Sequence, residues 1–105
     1  MRMMIRITLP TDTMNTRITD GSFQTVLQNY VAEFKPEAVY FVAENGVRTM
    51  YMFADMASTS QLPAVVEPPF LAYEAAVDVT PAMNLDDLKA AMPHIQAAVK
   101  NYAAK

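Results

Sequence analysis

The chain has 105 residues, of which 52% are hydrophobic and 18% are charged, and it contains no cysteine. This length and composition predict a single folded domain over residues 1–105 and exclude a disordered chain. The formal charge of -3 and the scattered Lys and Arg residues argue against a nucleic-acid partner. Without cysteine or an apolar run of about 20 residues, the chain is expected to be cytoplasmic, with no membrane partner.

Apolar side chains alternate with polar ones at the start of the chain, from Arg2 to Leu9. A period of two residues is typical of a β-strand with one buried face, and Pro10 ends the pattern. The next segment, residues 11–21, is rich in Thr, Asp and Asn and has no sustained period. It is therefore predicted to be a loop.

A helix is predicted after this segment. Asp20 is a candidate N-cap, and apolar residues recur every three or four positions from Phe23 to Phe34. Pro36 is expected to end the helix at Lys35, because proline disfavours the helical conformation in the residue before it.

The middle of the chain predicts a hairpin, a second helix and a fourth strand. Two β-rich runs flank Asn45-Gly46, a dipeptide that tolerates the positive φ angles of a tight turn. Ser58 or Ser60 can cap a helix, and Pro68-Pro69 is expected to end or kink it. Residues 74–80 alternate again and predict a fourth strand.

The last segment predicts a capped helix. Asn84 is the N-cap, and Asp87 three residues later completes a variant of the capping box. Pro93 is expected to kink the helix. An apolar seam at spacings of three and four follows the helix, formed by Leu85, Leu88, Met92, Ile95, Val99 and Tyr102.

The order of elements is strand, helix, strand, strand, helix, strand, followed by the terminal helix. Two right-handed βαβ crossovers that share one sheet predict an α+β fold of the ferredoxin-like kind, βαββαβ, with strand order 4-1-3-2. The helices would cover one face of the sheet. The opposite face would carry Arg2, Met4, Arg6, Thr8, Thr49, Tyr51, Phe53, Glu74, Ala76 and Asp78, with either Tyr40 or Phe41 from the second strand.

This opposite face is too apolar to lie in water and too charged to be ordinary protein interior. We therefore expect a second copy of the chain to cover it, with the charges paired across neighbouring strands or lining a partly wet cavity. A homodimer is the predicted assembly.

At this point the chain resembles the dimeric α/β-barrel proteins, in particular their uncharacterised small members. The resemblance rests on the element order, the AENG hairpin and the run VDVTPAM before a capped helix. The group includes small monooxygenases of antibiotic biosynthesis, muconolactone isomerases and stress-responsive proteins. The resemblance implies a ferredoxin-like protomer whose sheet faces a second copy, often around a ligand cavity, but it implies no particular reaction.

Candidate binding residues come from the face that lacks helices. Arg2 and Arg6 with Glu74 and Asp78 could bind a small anionic or polar ligand, and a structural set of ion pairs explains the same pattern. Three weaker candidates are Tyr51, Phe53 and Glu67, the last of which precedes Pro68-Pro69 at an expected helix end. His94 is the only histidine, so no metal or other cofactor is predicted.

The sequence leaves three functions open. The first is a small dimeric protein that binds a partly apolar ligand between its sheets. The second is a cofactor-free monooxygenase or isomerase that uses the same cavity, with Asp78 or Glu74 as proton acceptor. The third is a purely structural dimerisation module.

Overall fold

The computed structural model of the protein describes residues 1–104. It contains one four-stranded antiparallel sheet with strand order β2-β3-β1-β4, which is the predicted order read from the other edge. The elements in chain order are β1 (Arg2–Thr8), α1 (Thr11–Asp20), α2 (Ser22–Phe34), β2 (Ala38–Glu44), β3 (Val47–Asp55), α3 (Leu62–Tyr73), β4 (Ala76–Pro81) and α4 (Leu85–Tyr102), with a short 3-10 turn at Thr59–Gln61. The α+β ferredoxin-like architecture is confirmed.

The hairpin between β2 and β3 turns where the sequence predicts it. Glu44 pairs with Val47, so only Asn45 and Gly46 lie in the loop. Their φ angles are 52° and 76°, the left-handed values that a two-residue hairpin loop needs. This loop fixes the register of β2 against β3, and with it the side of the sheet on which each β2 side chain lies.

The middle of one face of the sheet is buried beneath α1, α2 and α3. Ile5 lies at its centre, opposite Met52 on β3 and Val79 on β4. The core formed on this helix-bearing side contains Met3, Ile5, Ile7, Met14, Met50, Met52 and Val65, with Val77 and Val79 packed at its edge. The assignment of these strand residues to the helix-bearing side is confirmed.

The other face, here called the open face, is not covered by any of the described helices. Arg6 lies on it between Tyr51 and Asp78, and Tyr40 pairs with Tyr51. The facing of β2, which the sequence leaves open, is therefore settled: Tyr40 lies on the open face, and Phe41 lies opposite Met50 on the helix-bearing side.

Residues 11–20 form helix α1, so the prediction of a loop is wrong. The Met14 amide donates to the Pro10 carbonyl at 2.9 Å, which begins the helix directly after the proline. Met14 is the one fully buried residue of α1, while Ile18 is exposed. Packing of Met14 in the core stabilises a segment whose Thr, Asp and Asn residues have weak helix propensity.

The second helix begins one position later than an Asp20 N-cap would give. Gly21, with φ of 83°, is the N-cap of α2. The Asp20 carboxylate instead accepts hydrogen bonds from the amide and hydroxyl of Ser22, at 2.8 and 2.6 Å. The Ser22 hydroxyl in particular lowers the pKa of Asp20. At its other end α2 stops as predicted, with Lys35 in the left-handed conformation before Pro36.

Helix α3 continues through Pro68 and Pro69 to Tyr73, so the prediction that this pair ends the helix is wrong. A proline at position 69 has no amide hydrogen, which leaves the Val65 carbonyl without its helical donor. The buried Tyr30 hydroxyl of α2 donates to that carbonyl at 2.5 Å. A side chain from another helix thus replaces the hydrogen bond that the proline removes.

Strand β4 begins at Ala76 and not at position 74. Glu74 has φ of 52° and ends α3, and its carboxylate accepts a hydrogen bond from the Thr13 hydroxyl of α1 at 2.7 Å. Placing Glu74 on the open face is therefore wrong. Glu67 is exposed in the interior of α3, so placing it at a helix end beside the sheet rim is also wrong.

Helix α4 begins with the predicted capping box. The backbone amide of Asn84 donates to Asp87 Oδ2 at 2.9 Å, and the backbone amide of Asp87 donates to Asn84 Oδ1 at 2.8 Å. The helix continues through Pro93 to Tyr102. Its apolar seam, here called the α4 stripe, is exposed along its whole length, from 38% at Leu88 to 86% at Tyr102.

Candidate functional site

Four polar side chains form a connected row across the open face. The guanidinium of Arg6 donates to Asp78 Oδ2 from Nη2 at 2.8 Å and from Nε at 3.2 Å. Arg6 Nη1 also lies 3.8 Å from Glu44 Oε2, and the Tyr51 hydroxyl donates to Glu44 Oε1 at 2.6 Å. Asp78, Arg6, Tyr51 and Glu44, here called the polar row, come from β4, β1, β3 and β2 in the order that crosses the sheet.

The strand register places these groups together. Arg6 lies directly opposite Tyr51 on β3 and Asp78 on β4, so all three side chains leave the same side of the sheet. Glu44 belongs to the same side because it follows Tyr40 at an even spacing along β2. Its side chain reaches back from the hairpin end to the Tyr51 hydroxyl.

The two carboxylates dominate the electrostatics of the row. The hydrogen bond to Asp78 raises the pKa of Arg6, and the hydrogen bond to Glu44 raises the pKa of Tyr51. At neutral pH the guanidinium therefore stays charged and the phenol stays protonated. With one cation and two carboxylates, the polar row carries a net charge of about -1.

Apolar side chains surround the polar row. Met4 and Phe53 pair across β1 and β3 and are half-buried, while Tyr40 and Val42 on β2 are exposed, Tyr40 by 61%. These four side chains lie on the same face as the row. The open face therefore combines a large apolar surface with a few convergent polar groups.

A second charged cluster lies at the end of the open face where α4 begins. Arg2 Nε donates to Glu37 Oε1 at 2.5 Å, and Arg2 Nη1 donates to Asp87 Oδ2. These contacts raise the pKa of Arg2, chiefly through the hydrogen bond to Glu37. Because Asp87 also belongs to the capping box, Arg2 ties the first turn of α4 to β1.

The structure brings together five of the seven candidate residues named from the sequence. Arg2, Arg6, Tyr51, Phe53 and Asp78 share the open face. Their role in ligand binding stays a prediction.

The remaining two candidates, Glu67 and Glu74, lie elsewhere. Glu67 is on α3, and Glu74 contacts α1. Of the two carboxylates considered as proton acceptors, only Asp78 lies on the open face.

Sequence reasoning missed Glu44. The signal is its even spacing from Tyr40, which puts both residues on the same side of β2 once the hairpin register is fixed. Since Phe41 and Tyr40 are equally suited to a buried strand, the sequence pattern alone does not choose that side.

An apolar groove, separate from the open face, lies on the helix-bearing side beside β4. Its lining includes Met3, Leu62, Val66, Phe70, Val77 and Val79, and its volume is about 690 Å³. Of these, Leu62 and Phe70 are exposed on α3, while Val77 and Val79 are only half-buried. No helix of the described chain covers β4 at this edge.

Residues 1–104 contain neither a cluster of metal-ligating side chains nor a helix suited to crossing a membrane. No group of three or more His, Cys, Asp or Glu side chains in this range is placed to hold a metal ion, and His94 is exposed on α4. None of the described helices has both the length and the apolar character needed to cross a membrane.

No protein-family model matches the chain, and no curated protein matches it.

Proposed function

We propose that the open face forms one wall of a cavity between two copies of this chain, and that the cavity binds a small, partly apolar molecule with a hydrogen-bond donor. The observation that carries this proposal is the polar row in the middle of an apolar sheet face. Ligand pockets are typically lined by apolar and aromatic side chains with a few convergent polar groups.

A second copy is the proposed cover because the open face is costly to leave in water. Met4, Phe53, Tyr40 and Val42 together present more apolar surface than a solvated sheet face usually does. Two such faces packed about 10 Å apart would remove this surface from water. Arg6 would enter that interface already paired with Asp78, which offsets much of the cost of desolvating its charge.

The charge of the polar row determines the kind of ligand. Arg6 donates to Asp78 from Nε and Nη2, and its Nη1 faces Glu44 at 3.8 Å, whereas a carboxylate has about four acceptor positions and each of these two has positions to spare. Two facing rows, each with a net negative charge, would repel an anion. The proposed ligand is therefore a neutral or cationic molecule with an apolar body and a hydroxyl or amine donor.

The experiment measures the binding of two matched fluorescent probes to the 105-residue chain. 2-Naphthol has an apolar ring system and one hydroxyl donor, while 2-naphthalenesulfonate has the same rings and an anionic group. Fluorescence titration at pH 7 should give a lower dissociation constant for 2-naphthol. Replacing Asp78 by Asn should weaken 2-naphthol binding about 10- to 100-fold, because a hydrogen bond to a charged group is worth about 1.5–3 kcal/mol.

The matched control is Asp86→Asn, since Asp86 is an exposed aspartate on α4 outside the open face. It should leave both dissociation constants unchanged. Tighter binding of the sulfonate than of 2-naphthol would overturn the proposed ligand class. Equal effects of Asp78→Asn and Asp86→Asn would overturn the assignment of the site to the open face.

A further inference from the structure

Helix α4 has an apolar stripe that no other helix or strand of the described residues covers. Past its first turn, which Arg2 holds through Asp87, α4 packs along no other helix or strand of the described residues. The radius of gyration is 17.4 Å and the longest extent is 60 Å, whereas a compact chain of this length has a radius of gyration of about 13 Å. The helix projects from the sheet and helix layers as an arm.

The same chain also has an apolar groove with no helix in it. The groove between α3 and β4 is open along Leu62, Val66 and Phe70 on one side and along Val77 and Val79 on the other. In a layered α+β fold, an apolar strip at a sheet edge is normally covered by a helix. The uncovered helix and the uncovered groove are therefore complementary in chemistry.

We propose that the α4 stripe of one copy docks in the groove beside β4 of a second copy, so that two chains exchange their terminal helices. The lengths agree. The four central side chains of the stripe, Leu88 to Val99, span about 17 Å along the helix axis, and the 12-residue helix α3 is about 18 Å long. Methionines at both surfaces, Met92 on the stripe and Met3 in the groove, can adapt to each other's shape.

The area is sufficient for a stable dimer. Each of the four central side chains of the stripe is 38–59% exposed, so docking removes on the order of 80 Å² from each. Four side chains from each stripe, with as much surface from each groove, would bury about 1,300 Å² in a reciprocal exchange, which is within the range of specific interfaces.

The proposed helix in the groove is α4 of a second copy and not the chain's own α4, because the start of α4 is fixed. Only Ala82, Met83 and Asn84 connect β4 to α4. The Ala82 amide donates to the Arg2 carbonyl at 3.1 Å, and the capping box and the Arg2–Asp87 pair then set the direction of the helix. Since the groove lies on the helix-bearing side, this interface does not depend on the proposed ligand site.

The test is the dissociation constant of self-association of the full chain, measured by sedimentation over about 1–100 μM. The double variant Met92→Lys/Val99→Lys places two charges on the stripe, and Ala90→Lys/Ala97→Lys places the same charges, seven residues apart, on the opposite side of α4. The stripe variant should raise the dissociation constant at least 10-fold, while the control variant should leave it unchanged.

The groove is tested with two neighbouring residues of α3. Phe70 lines the groove and is 40% exposed, whereas Leu71 does not line it and is 78% exposed. Phe70→Lys should weaken association as strongly as the stripe variant, and Leu71→Lys should not. If circular dichroism shows that Phe70→Lys is unfolded, the variant Leu62→Lys, at the first turn of the same helix, replaces it.

Three results would overturn the exchange. The first is a particle of 11.7 kDa for the native chain over the whole concentration range. The second is a stripe variant that associates like the native chain. The third is loss of association with the stripe variant but not with the groove variant, which would mean that two stripes pair with each other. Asp78-dependent binding of 2-naphthol alongside the second or the third result would leave the open-face proposal standing, whereas the first result would overturn both proposals.

Discussion

The hydrogen bond between Tyr30 and the Val65 carbonyl gives a stringent test of how α3 tolerates two prolines. Tyr30→Phe removes only the hydroxyl and leaves the Val65 carbonyl buried, with Pro69 unable to supply the usual amide donor. An unsatisfied buried acceptor costs about 1–3 kcal/mol. For a cost of about 2 kcal/mol and a urea m value of about 2 kcal/mol/M, the unfolding midpoint falls by about 1 M.

Tyr73→Phe is the matched control. Tyr73 is 4% exposed and Tyr30 is 5% exposed, so the two residues are buried to the same extent, although the hydrogen bond of Tyr73 is only partly buried. The Tyr73 hydroxyl donates to the Phe23 carbonyl at 2.8 Å, but that carbonyl also faces the Leu27 amide within α2. Its loss therefore leaves no orphaned acceptor, and the cost is expected to stay below about 1 kcal/mol.

A double-mutant cycle tests whether the Tyr30 hydroxyl replaces the amide donor that Pro69 lacks. Pro69→Ala restores an amide opposite the Val65 carbonyl, so Tyr30→Phe should cost less in the Pro69→Ala background than in the native chain, with a coupling of about 1–2 kcal/mol. The free energies come from urea unfolding followed by circular dichroism. If Tyr30→Phe costs no more than Tyr73→Phe, or costs the same in both backgrounds, the hydroxyl does not replace the missing amide.

Two further outcomes follow from the buried phenols and the hairpin. Burial raises the pKa of Tyr73 to about 12, against about 10 in the unfolded chain, so its contribution to stability is complete below pH 10 and is lost as the pH rises towards 12. Urea midpoints measured from pH 9 to 12 should fall, and Tyr73→Phe should make the fall shallower. Gly46→Val should destabilise the hairpin by about 1–2 kcal/mol because Gly46 has φ of 76°, and Gly46→Asn should cost less in thermal unfolding.

The features that the sequence predicts correctly are those fixed by local chemistry. Asn45-Gly46 sets the turn through backbone conformation alone, and the capping box at Asn84 needs only residues three positions apart. The alternation along β1 identifies its buried face because each side chain is placed by its own position in the pleat. From these elements the sheet order and the fold class follow.

The features that the sequence predicts wrongly depend on distant residues. Helix α1 forms around the single buried side chain of Met14, and one residue produces no periodicity to read. Pro68 and Pro69 stay helical, and the Val65 carbonyl receives its donor from the Tyr30 hydroxyl, 35 positions from Val65 in the chain. Glu74 does not lie on the open face, because α3 continues past its two prolines to Tyr73. Strand β4 therefore begins only at Ala76.

In the candidate site, too, the sequence predicts some contacts and misses others. Arg6 and Asp78 are predicted as neighbours, because adjoining strands with known faces bring them together. Glu44 is not predicted, since its contact with Tyr51 needs the facing of β2. That missing residue changes the chemistry: with Asp78 alone the pair with Arg6 is neutral, and with Glu44 the row becomes negative and favours a donor over an anion.

The open face and the α4 stripe therefore require different surfaces from a second copy. Within one protomer Asp78 and Glu44 outnumber Arg6 and leave the polar row with a net charge of about -1, so two facing copies offer each other no opposite charge to pair with across the open face. The α4 stripe is exposed and is covered by no other element of the described chain, so its partner must bring apolar surface, which the groove beside β4 has available. Because neither contact needs charges from two chains to meet, apolar burial and not ion pairing between copies is the expected driving force of assembly.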